Sequence, residues 1–442
     1  MNPYLFVETK FIYQDLKINV KTGDNMDIEK KMIDAIQQGD LKEIQDLLGD
    51  VLLKVNPDMQ YEIAGLLINF GFLDEADELL EHLQYVFPDE VQLKIDRATL
   101  LMERGEEDQA LEYLMSIGKE EPEYPQVLLA LADYYQMQGL YEVAEQRMNE
   151  ALEILPDEPL LQFAKAELLM EIGRFSEAAR LYHSINKDTE EIAGVRLVER
   201  LAEVYRAGGA FEEAYEFYTQ ALENQTSPDL LFGAAYSAFQ CQMYETAIRY
   251  AEDLKTLDPD YFSAYLLLAQ SHAMLEDNKK ALEVIKEGIM RDEYDKELYL
   301  FAGKMSLKNN LPNEAEQYLR QAIALDSEYM EAILTLVSIL SNEERDEEVV
   351  ELIEQLEKDD FDWSSLSAFA ALSYDRLENF KRAYEFYKLA YTEHKEDPLF
   401  LEKYVYFLIE DGKRMEAQQV ARQLVALQPD EPAWQDLLQT FE

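Results

Sequence analysis

One alanine recurs through this chain at a nearly constant interval. Its copies are separated by 34, 34, 34, 36, 33, 34, 34, 68 and 34 residues, and in the interval of 68 Val349 takes the place of the skipped alanine. The copies are Ala76, Ala110, Ala144, Ala178, Ala214, Ala247, Ala281, Ala315, Ala383 and Ala417. A fixed period of about 34 residues is typical of helix-turn-helix solenoids, whose repeats bury their apolar faces only by stacking. The period predicts an all-α repeat architecture and leaves function open.

Three further landmarks keep the same phase. A second small residue lies 12 residues before the alanine, at Ala64, Ala98, Ala132, Ala166, Ala202, Ala235, Ala269, Gly303 and Ala371. A glycine lies between the two, at Gly71, Gly105, Gly139, Gly173, Gly209 and Gly412, and a proline follows at Pro88, Pro122, Pro156, Pro259 and Pro429. Small side chains let helices approach closely, glycine permits a left-handed turn, and proline cannot continue a helix. Each repeat is therefore predicted to be two amphipathic helices joined by a turn.

These landmarks resemble those of the tetratricopeptide repeat (TPR) family. The resemblance covers about residues 57–431 as eleven repeats, with a degenerate repeat at 26–56 and a capping helix at 432–442. It implies an all-α TPR solenoid, a right-handed superhelix of about eleven antiparallel helix pairs. The acidic, all-repeat arrangement is also similar to cytoplasmic TPR proteins of Gram-positive bacteria of the YpiA type.

Two places in the chain depart from the regular period. Two extra residues enter at 186–194, so we divide the array into repeats one to four at 57–192 and repeats five to eleven at 193–431. Residues 1–25 fall outside the repeats. We expect this extension to lie upstream of a translation start at Met26.

The charge of the chain limits its partners. With 91 acidic and 40 basic residues the net charge is −51, which argues against nucleic acid and anionic membranes as partners. The acid serves either solubility or the attraction of a cationic partner. The chain has neither an apolar signal-peptide core nor an apolar run of about 18 residues, so we expect a cytoplasmic protein. Its single cysteine, Cys241, cannot form an internal disulfide, which fits a reducing compartment.

The TPR resemblance implies which side chains face a ligand. In such arrays the second, fifth, ninth and twelfth positions of each first helix line the concave groove. At these positions we predict a peptide-binding surface of Tyr61, Asp133, Phe163, Glu167, Glu199, Glu203, Phe232, Tyr236 and Phe239. Carboxylates predominate in repeats three to five, and aromatic residues in repeat six. The fifth positions lack the lysine and asparagine residues with which chaperone-binding TPR domains hold a carboxylate tail.

The aromatic residues of repeat six permit two interpretations. Phe232, Tyr236 and Phe239 have i, i+4 and i+7 spacing and share one helix face. Such a stripe is usually core, yet small and apolar neighbours such as Ala235 already occupy the sites that face adjacent helices. If the stripe is exposed, acid beside aromatic rings suits a basic and apolar peptide.

No pattern indicates catalysis, a metal or a cofactor. The four histidines fall in different repeats at different repeat positions, and no zinc spacing or phosphate-binding glycine loop is present. His272 stands where other repeats carry tyrosine, which favours a hydrogen-bonded core position. We predict no enzymatic activity, no catalytic or metal-binding residues and no cofactor.

The leading hypothesis is a non-enzymatic scaffold or adaptor that binds a peptide or protein in the TPR groove. One alternative is a ligand-responsive peptide receptor, although related receptors usually carry a further DNA-binding or effector domain. A second alternative is an accessory subunit of an enzyme. Nothing in the sequence indicates homo-oligomerisation or names a partner.

Overall fold

The computed structural model describes residues 25–187, 189–358 and 364–441. Residues 1–24 of the predicted extension lie outside this part of the chain. The described residues form 25 α-helices, and 24 of them follow one another as first and second helices of repeats. The all-α TPR solenoid that the family resemblance implied is confirmed.

The first helices carry odd numbers. They are α1 (Asn25–Gln38), α3 (Pro57–Asn69), α5 (Val91–Glu103), α7 (Tyr124–Met137), α9 (Pro159–Glu171), α11 (Leu197–Ala207), α13 (Pro228–Gln240), α15 (Ser263–Met274), α17 (Lys296–Lys308), α19 (Met330–Asn342), α21 (Ser367–Arg376) and α23 (Pro398–Glu410). Prolines open several of them, because the first turn of a helix has no use for the missing N–H.

The second helices carry even numbers. They are α2 (Leu41–Lys54), α4 (Leu73–Val86), α6 (Glu107–Met115), α8 (Tyr141–Ile154), α10 (Phe175–Ile185), α12 (Phe211–Leu222), α14 (Tyr244–Leu257), α16 (Asn278–Arg291), α18 (Pro312–Leu325), α20 (Asp346–Lys358), α22 (Phe380–His394) and α24 (Arg414–Leu427). The final helix is α25 (Pro432–Gln439), whose Trp434 is buried against the apolar core of the last repeats. This position agrees with the predicted cap.

The described chain forms two compact units, an N-terminal unit that ends at Ser237 and a C-terminal unit that begins at Ala238. Within each unit a first helix packs on its own second helix, as α7 does on α8 and α17 on α18. Successive first helices also touch, for example α7 with α9 and α21 with α23. The division of the repeats at 192/193 stays a prediction.

The recurring small residues lie where helices cross. Ala64 and Ala76 in the N-terminal unit are fully buried, as are Ala371 and Ala383 in the C-terminal unit. A larger side chain at such a crossing would push the helix axes apart. Val349, which replaces the alanine in the ninth repeat, is also fully buried.

The turn between the two helices uses a left-handed residue. The predicted turn glycines have positive φ, from 70° at Gly139 to 83° at Gly71. In repeats six to ten the same place is taken by residues with side chains, also at positive φ: Gln242, Glu276, Asn310, Glu344 and Glu378. The turn geometry is therefore kept even where the sequence lacks the residue that adopts it most easily.

The two extra residues after α10 are accommodated by a β-hairpin. Strand β1 (Glu191–Ile192) pairs antiparallel with β2 (Val195–Arg196), and Ala193 and Gly194 between them both have positive φ. Positive φ at both central residues is typical of a type I′ hairpin turn. Ile192 is 8% exposed and joins the core around α9 to α11. The period predicted only an insertion here.

Candidate functional site

Helix α13 divides its side chains between packing and solvent. Within the N-terminal unit Leu231, Ala234 and Ala235 are buried, and so is Gly233. The ring of Tyr218 lies so close to Gly233 that a Cβ there would be 2.2 Å from Tyr218 Cζ. Because these buried residues pack α13 against its neighbours, the other side chains of the helix are available to face solvent.

Two of the three predicted aromatic residues stack on one another at this surface. Phe232 and Tyr236 are partly exposed, with ring centroids 6.1 Å apart and an interplanar angle of 25°. The ring of Phe211 meets Tyr236 edge-on at 5.9 Å. In the C-terminal unit Phe239 is partly exposed and packs edge-on against Tyr244 at 5.6 Å. All three aromatic side chains are therefore partly exposed to solvent, and each packs against another aromatic ring.

The predicted carboxylate of Glu167 is held by groups of the protein itself. Tyr182 Oη donates a hydrogen bond to Glu167 Oε1 over 2.6 Å, and Arg200 Nε lies 3.1 Å from the same oxygen. Burial raises the pKa of Glu167, while Arg200 and the bond from Tyr182 oppose that rise. Glu167 thus links α9, α10 and α11 within the N-terminal unit.

The two carboxylates predicted on α11 are also paired. Arg196 Nη1 lies 3.0 Å from Glu199 Oε1, and Arg200 Nη1 lies 2.6 Å from Glu203 Oε2. On the same helix Arg206 donates a hydrogen bond to Tyr218 Oη over 3.0 Å. The three carboxylates predicted in repeats four and five therefore each have an arginine partner, and the two pairs on α11 have the i,i+3 spacing of neighbouring residues on a helix.

Asp133 differs from these carboxylates. It is partly exposed on α7, and in the described part of the chain it has neither a hydrogen-bond nor an ion-pair partner. Desolvation by its surroundings raises the pKa of Asp133 to about 7. Its charge is therefore only partly developed near neutral pH.

Tyr61 contacts a buried carboxylate in the next repeat. Tyr61 Oη donates to Asp96 Oδ2 over 2.7 Å, and Gln92 Nε2 donates to Asp96 Oδ1 over 2.8 Å. Asp96 is 6% exposed, and this burial raises its pKa to about 6 against the two hydrogen bonds. The hydroxyl of Tyr61 is thus committed to the interior, while the rest of its side chain is partly exposed.

Phe163 requires a correction. It was predicted to line the groove, but it is 1% exposed and packs edge-on against Tyr182 at 5.9 Å. The ring of Tyr182, on the second helix of the same repeat, covers it, so Phe163 belongs to the core and does not line the groove surface.

The histidines are separated by the fold. His183 shares a hydrogen bond of 2.7 Å with Tyr205 Oη, whereas His272 Nε2 is buried and has no hydrogen-bond partner among the described residues. The expected hydrogen-bonded core position of His272 is therefore corrected: the residue is partly exposed, and its buried Nε2 is unsatisfied among the described residues. Burial lowers the pKa of His272. In the described ranges no group of three or more potential metal ligands lies together.

One surface was missed because the predicted site stopped at repeat six. In the C-terminal unit two adjoining cavities of about 410 Å³ and 340 Å³ share Leu372, Tyr387, Leu399 and Lys403 as lining residues. We call them together the C-terminal groove. Leu372 and Leu399 occupy the ninth and second positions of their repeats, so the positional rule used for repeats one to six would have found the groove.

A model of YpiA-like tetratricopeptide repeats matches residues 136–190, and a model of YpiA-like C-terminal tetratricopeptide repeats matches residues 367–431. General tetratricopeptide repeat models match residues 95–159, 197–229 and 296–329. None of the helices in the described part of the chain is long and apolar enough to span a membrane.

Among known proteins, the TPR repeat-containing protein YpiA of Bacillus subtilis is 33% identical over 90% of this chain and 94% of YpiA. Tetratricopeptide repeat protein 13 of Homo sapiens is 22% identical over 45% of this chain and 24% of its own length.

Two solved structures also match. The C-terminal part of a TPR repeat-containing protein from Cytophaga hutchinsonii is 17% identical, with a TM-score of 0.46, over 55% of this chain and 99% of that one. YrrB, a TPR protein with an unusual peptide-binding site, is 17% identical, with a TM-score of 0.36, over 42% of this chain and 95% of that one. Because the similarity to YpiA, at 33% identity, extends over 90% of the chain, the protein belongs to the YpiA-like family of tetratricopeptide repeat proteins.

Proposed function

We propose that this chain is a non-enzymatic scaffold or adaptor that binds a peptide or protein segment on the first-helix surface of its N-terminal unit. TPR proteins generally mediate protein–protein interactions, and the family is typically non-enzymatic. The observation that carries the proposal is the stacked pair Phe232 and Tyr236, which stays partly exposed while Gly233 and its buried neighbours pack α13. Exposed aromatic residues of this kind commonly supply much of an interface's binding energy.

The carboxylates of this surface have a secondary role in the proposed binding. Glu167, Glu199 and Glu203 each have an arginine partner, so a basic ligand must compete with Arg196 or Arg200 for them. The net charge of −51 still favours the approach of a cationic partner, although salt screens the attraction between exposed charges beyond about 8 Å. We therefore propose a partner whose apolar side chains contact the aromatic pair and whose basic character mainly speeds association.

The extent of the binding surface is part of the proposal. Besides the aromatic pair, it includes Tyr61, Asp133, Glu167, Glu199 and Glu203 in the N-terminal unit. Phe239, in the C-terminal unit, stays a separate prediction.

The cytoplasmic location also stays a prediction. No contact in the described residues favours the peptide-receptor or enzyme-subunit alternatives.

The test compares affinity capture from the source cells, read by mass spectrometry, for the wild type and the double variant Phe232→Ala/Tyr236→Ala. We expect a protein that the wild type retains and the double variant loses. The matched control is Tyr85→Ala/Tyr294→Ala, which removes two aromatic rings that are 86% and 77% exposed. Equal retention by all three proteins would contradict the proposed surface.

A second measurement separates lost binding from lost folding. If the double variant melts well below the wild type, a photo-crosslinking amino acid replaces Tyr236 alone, with the same replacement at Tyr85 as control. A crosslink to a partner from position 236 and none from position 85 supports the proposal. No crosslink from position 236 contradicts it.

A further inference from the structure

The C-terminal groove lies wholly within the C-terminal unit. It is formed by α19, α21 and α23, with side chains of α22 at its base. None of the residues of the proposed N-terminal surface lines it. A ligand in the C-terminal groove would therefore contact residues other than the aromatic pair on α13.

Apolar side chains of α23 are presented to solvent in this groove. Leu399 is 71% exposed and Tyr406 is 48% exposed, whereas Leu401, Tyr404 and Val405 on the same helix are buried and make its packing contacts. Leu372 of α21 is partly exposed and lines both cavities. Removing such area from water is worth about 25 cal/mol per Å², so a ligand with an apolar side chain gains by covering it.

One end of the groove carries an excess of negative charge. The smaller cavity is lined by Asp375, Glu402 and Glu410, with Lys403 as its one basic residue in the described chain. Glu402 and Glu410 have no hydrogen-bond or ion-pair partner among the described side chains. These carboxylates differ in that respect from Glu167, Glu199 and Glu203, each of which has an arginine beside it.

The third carboxylate of the smaller cavity, Asp375, lies where burial and a neighbouring negative charge disfavour its charged form. Asp375 accepts a hydrogen bond from Tyr387 Oη over 3.3 Å. Burial raises the pKa of Asp375, and the nearby charge of Glu410 adds to the rise, while the bond from Tyr387 and the charge of Arg376 oppose it. A cation placed among these groups would relieve the repulsion, and the exposed ring of Tyr406 in the same cavity offers it a face to stack on.

From this arrangement we infer that the C-terminal groove binds a peptide segment in which an apolar side chain lies next to a lysine or arginine. The apolar side chain packs on Leu372 and Leu399 in the larger cavity. The basic side chain enters the smaller cavity, between Glu402 and Glu410 and over Tyr406.

The test uses a phage-displayed library of random peptides, selected on the immobilised full-length chain. Peptides recovered from the selection are synthesised, and their affinities are measured by fluorescence anisotropy. We expect the recovered peptides to be enriched in lysine or arginine beside a large apolar residue. We also expect affinity to fall about tenfold in Glu402→Gln/Glu410→Gln and in Leu399→Ser, and to fall with added salt.

Matched controls lie outside the groove in the same unit. Glu347→Gln/Glu351→Gln removes two exposed carboxylates from α20, and Met415→Ser removes an apolar side chain that is 82% exposed. Both controls should bind the peptides as the wild type does. All the substituted side chains are exposed or partly exposed, so thermal unfolding should be unchanged.

The outcomes separate the two proposed sites. Recovered peptides without basic residues, or affinities insensitive to Glu402→Gln/Glu410→Gln, would overturn the inference about ligand chemistry. Peptides whose binding depends on Phe232 and Tyr236 instead would overturn the C-terminal groove and leave the proposed function standing. Loss of the proposed function in the capture experiment, with groove-dependent peptides still bound, would do the reverse.

Discussion

The ring of Tyr218 fills the space that a side chain on Gly233 would need. A Cβ at position 233 would lie 2.2 Å from Tyr218 Cζ and 2.3 Å from Cε1, far inside van der Waals contact. Tyr218 is 3% exposed and is also held by a hydrogen bond from Arg206, so its ring cannot simply swing into solvent.

We therefore expect Gly233→Ala to destabilise the N-terminal unit by at least about 1–3 kcal/mol, the usual cost of overpacking a core. The measurement is urea unfolding followed by circular dichroism. The control is Gly49→Ala on α2, where a Cβ would meet nothing within 4 Å. Because alanine favours helix over glycine by up to about 1 kcal/mol, the control should be neutral or stabilising. A neutral Gly233→Ala would mean that α12 and α13 can separate freely.

The left-handed turn residues of the C-terminal unit predict a stabilising substitution. Glu276 has φ of 63° and is exposed, and its side chain makes no hydrogen bond or ion pair with the described residues that glycine would lose. Left-handed backbone costs a residue with a side chain about 1–2 kcal/mol. Glycine avoids this cost, but part of the gain in stability is lost because glycine raises the conformational entropy of the unfolded chain. Glu276→Gly should raise the melting temperature, and Asp430→Gly, at an exposed turn residue without positive φ, should not. A drop for Glu276→Gly would contradict this explanation.

The buried carboxylate of Asp96 predicts stability that falls with rising pH. Its pKa is about 6 in the folded chain and about 3.9 in the unfolded one. Between these values the folded chain keeps a proton that the unfolded chain has released, so the free energy of unfolding decreases as the pH rises through this window.

Asp96→Asn should accordingly stabilise the N-terminal unit by roughly 1–3 kcal/mol at neutral pH and change little near pH 4. Unfolding measured across this pH range tests it, with the exposed Asp89→Asn as control. An equal effect of Asp96→Asn at both ends of the range would show that the charge of Asp96 is not what the interior opposes.

An ion pair in the C-terminal unit predicts the opposite pH dependence. Arg345 holds Glu316 with two bonds, Nη1 to Oε2 at 2.6 Å and Nη2 to Oε1 at 2.9 Å. Hydrogen bonds from Arg345 lower the pKa of Glu316 to about 2. The stability from this pair is present above the unfolded pKa of about 4.3 and is lost as the pH falls toward 2.

Arg345→Gln should therefore cost roughly 1–2 kcal/mol near neutral pH, with the difference from the wild type closing in acid. Arg422→Gln, at an exposed arginine, should cost little at any pH. A cost that persists unchanged in acid would assign Arg345 a packing role instead.

The repeat pattern predicted the helices well because each landmark has a local physical cause. Ala144 must be small and Gly139 must turn left-handed, whatever the neighbouring repeats contain. The exposure of a groove position is not local. Phe163 and Phe232 occupy the same repeat position, yet Phe163 is covered by Tyr182 while Phe232 stays partly exposed.

The same limit applies to charge. The sequence identified Glu167 and Glu203 as acidic groove residues, and the i,i+3 spacing of Arg200 and Glu203 already indicates their ion pair. The contact of Arg200 with Glu167, which lies on a different helix, becomes visible only in three dimensions. The burial of Asp96 could not be predicted either, because it depends on hydrogen bonds from Tyr61 and Gln92 that the sequence does not reveal.

The β1–β2 hairpin offers the experimenter an attachment point. Its tip, Ala193 and Gly194, is exposed, while its base is anchored by Ile192 in the core. The two strands pair antiparallel and return the chain to the point where it left, and the alanine interval after the insertion is again 33 and 34 residues. A fluorophore or short epitope installed at this tip would report on the N-terminal unit from a loop in which residues can be added without shifting the phase of the helices that follow.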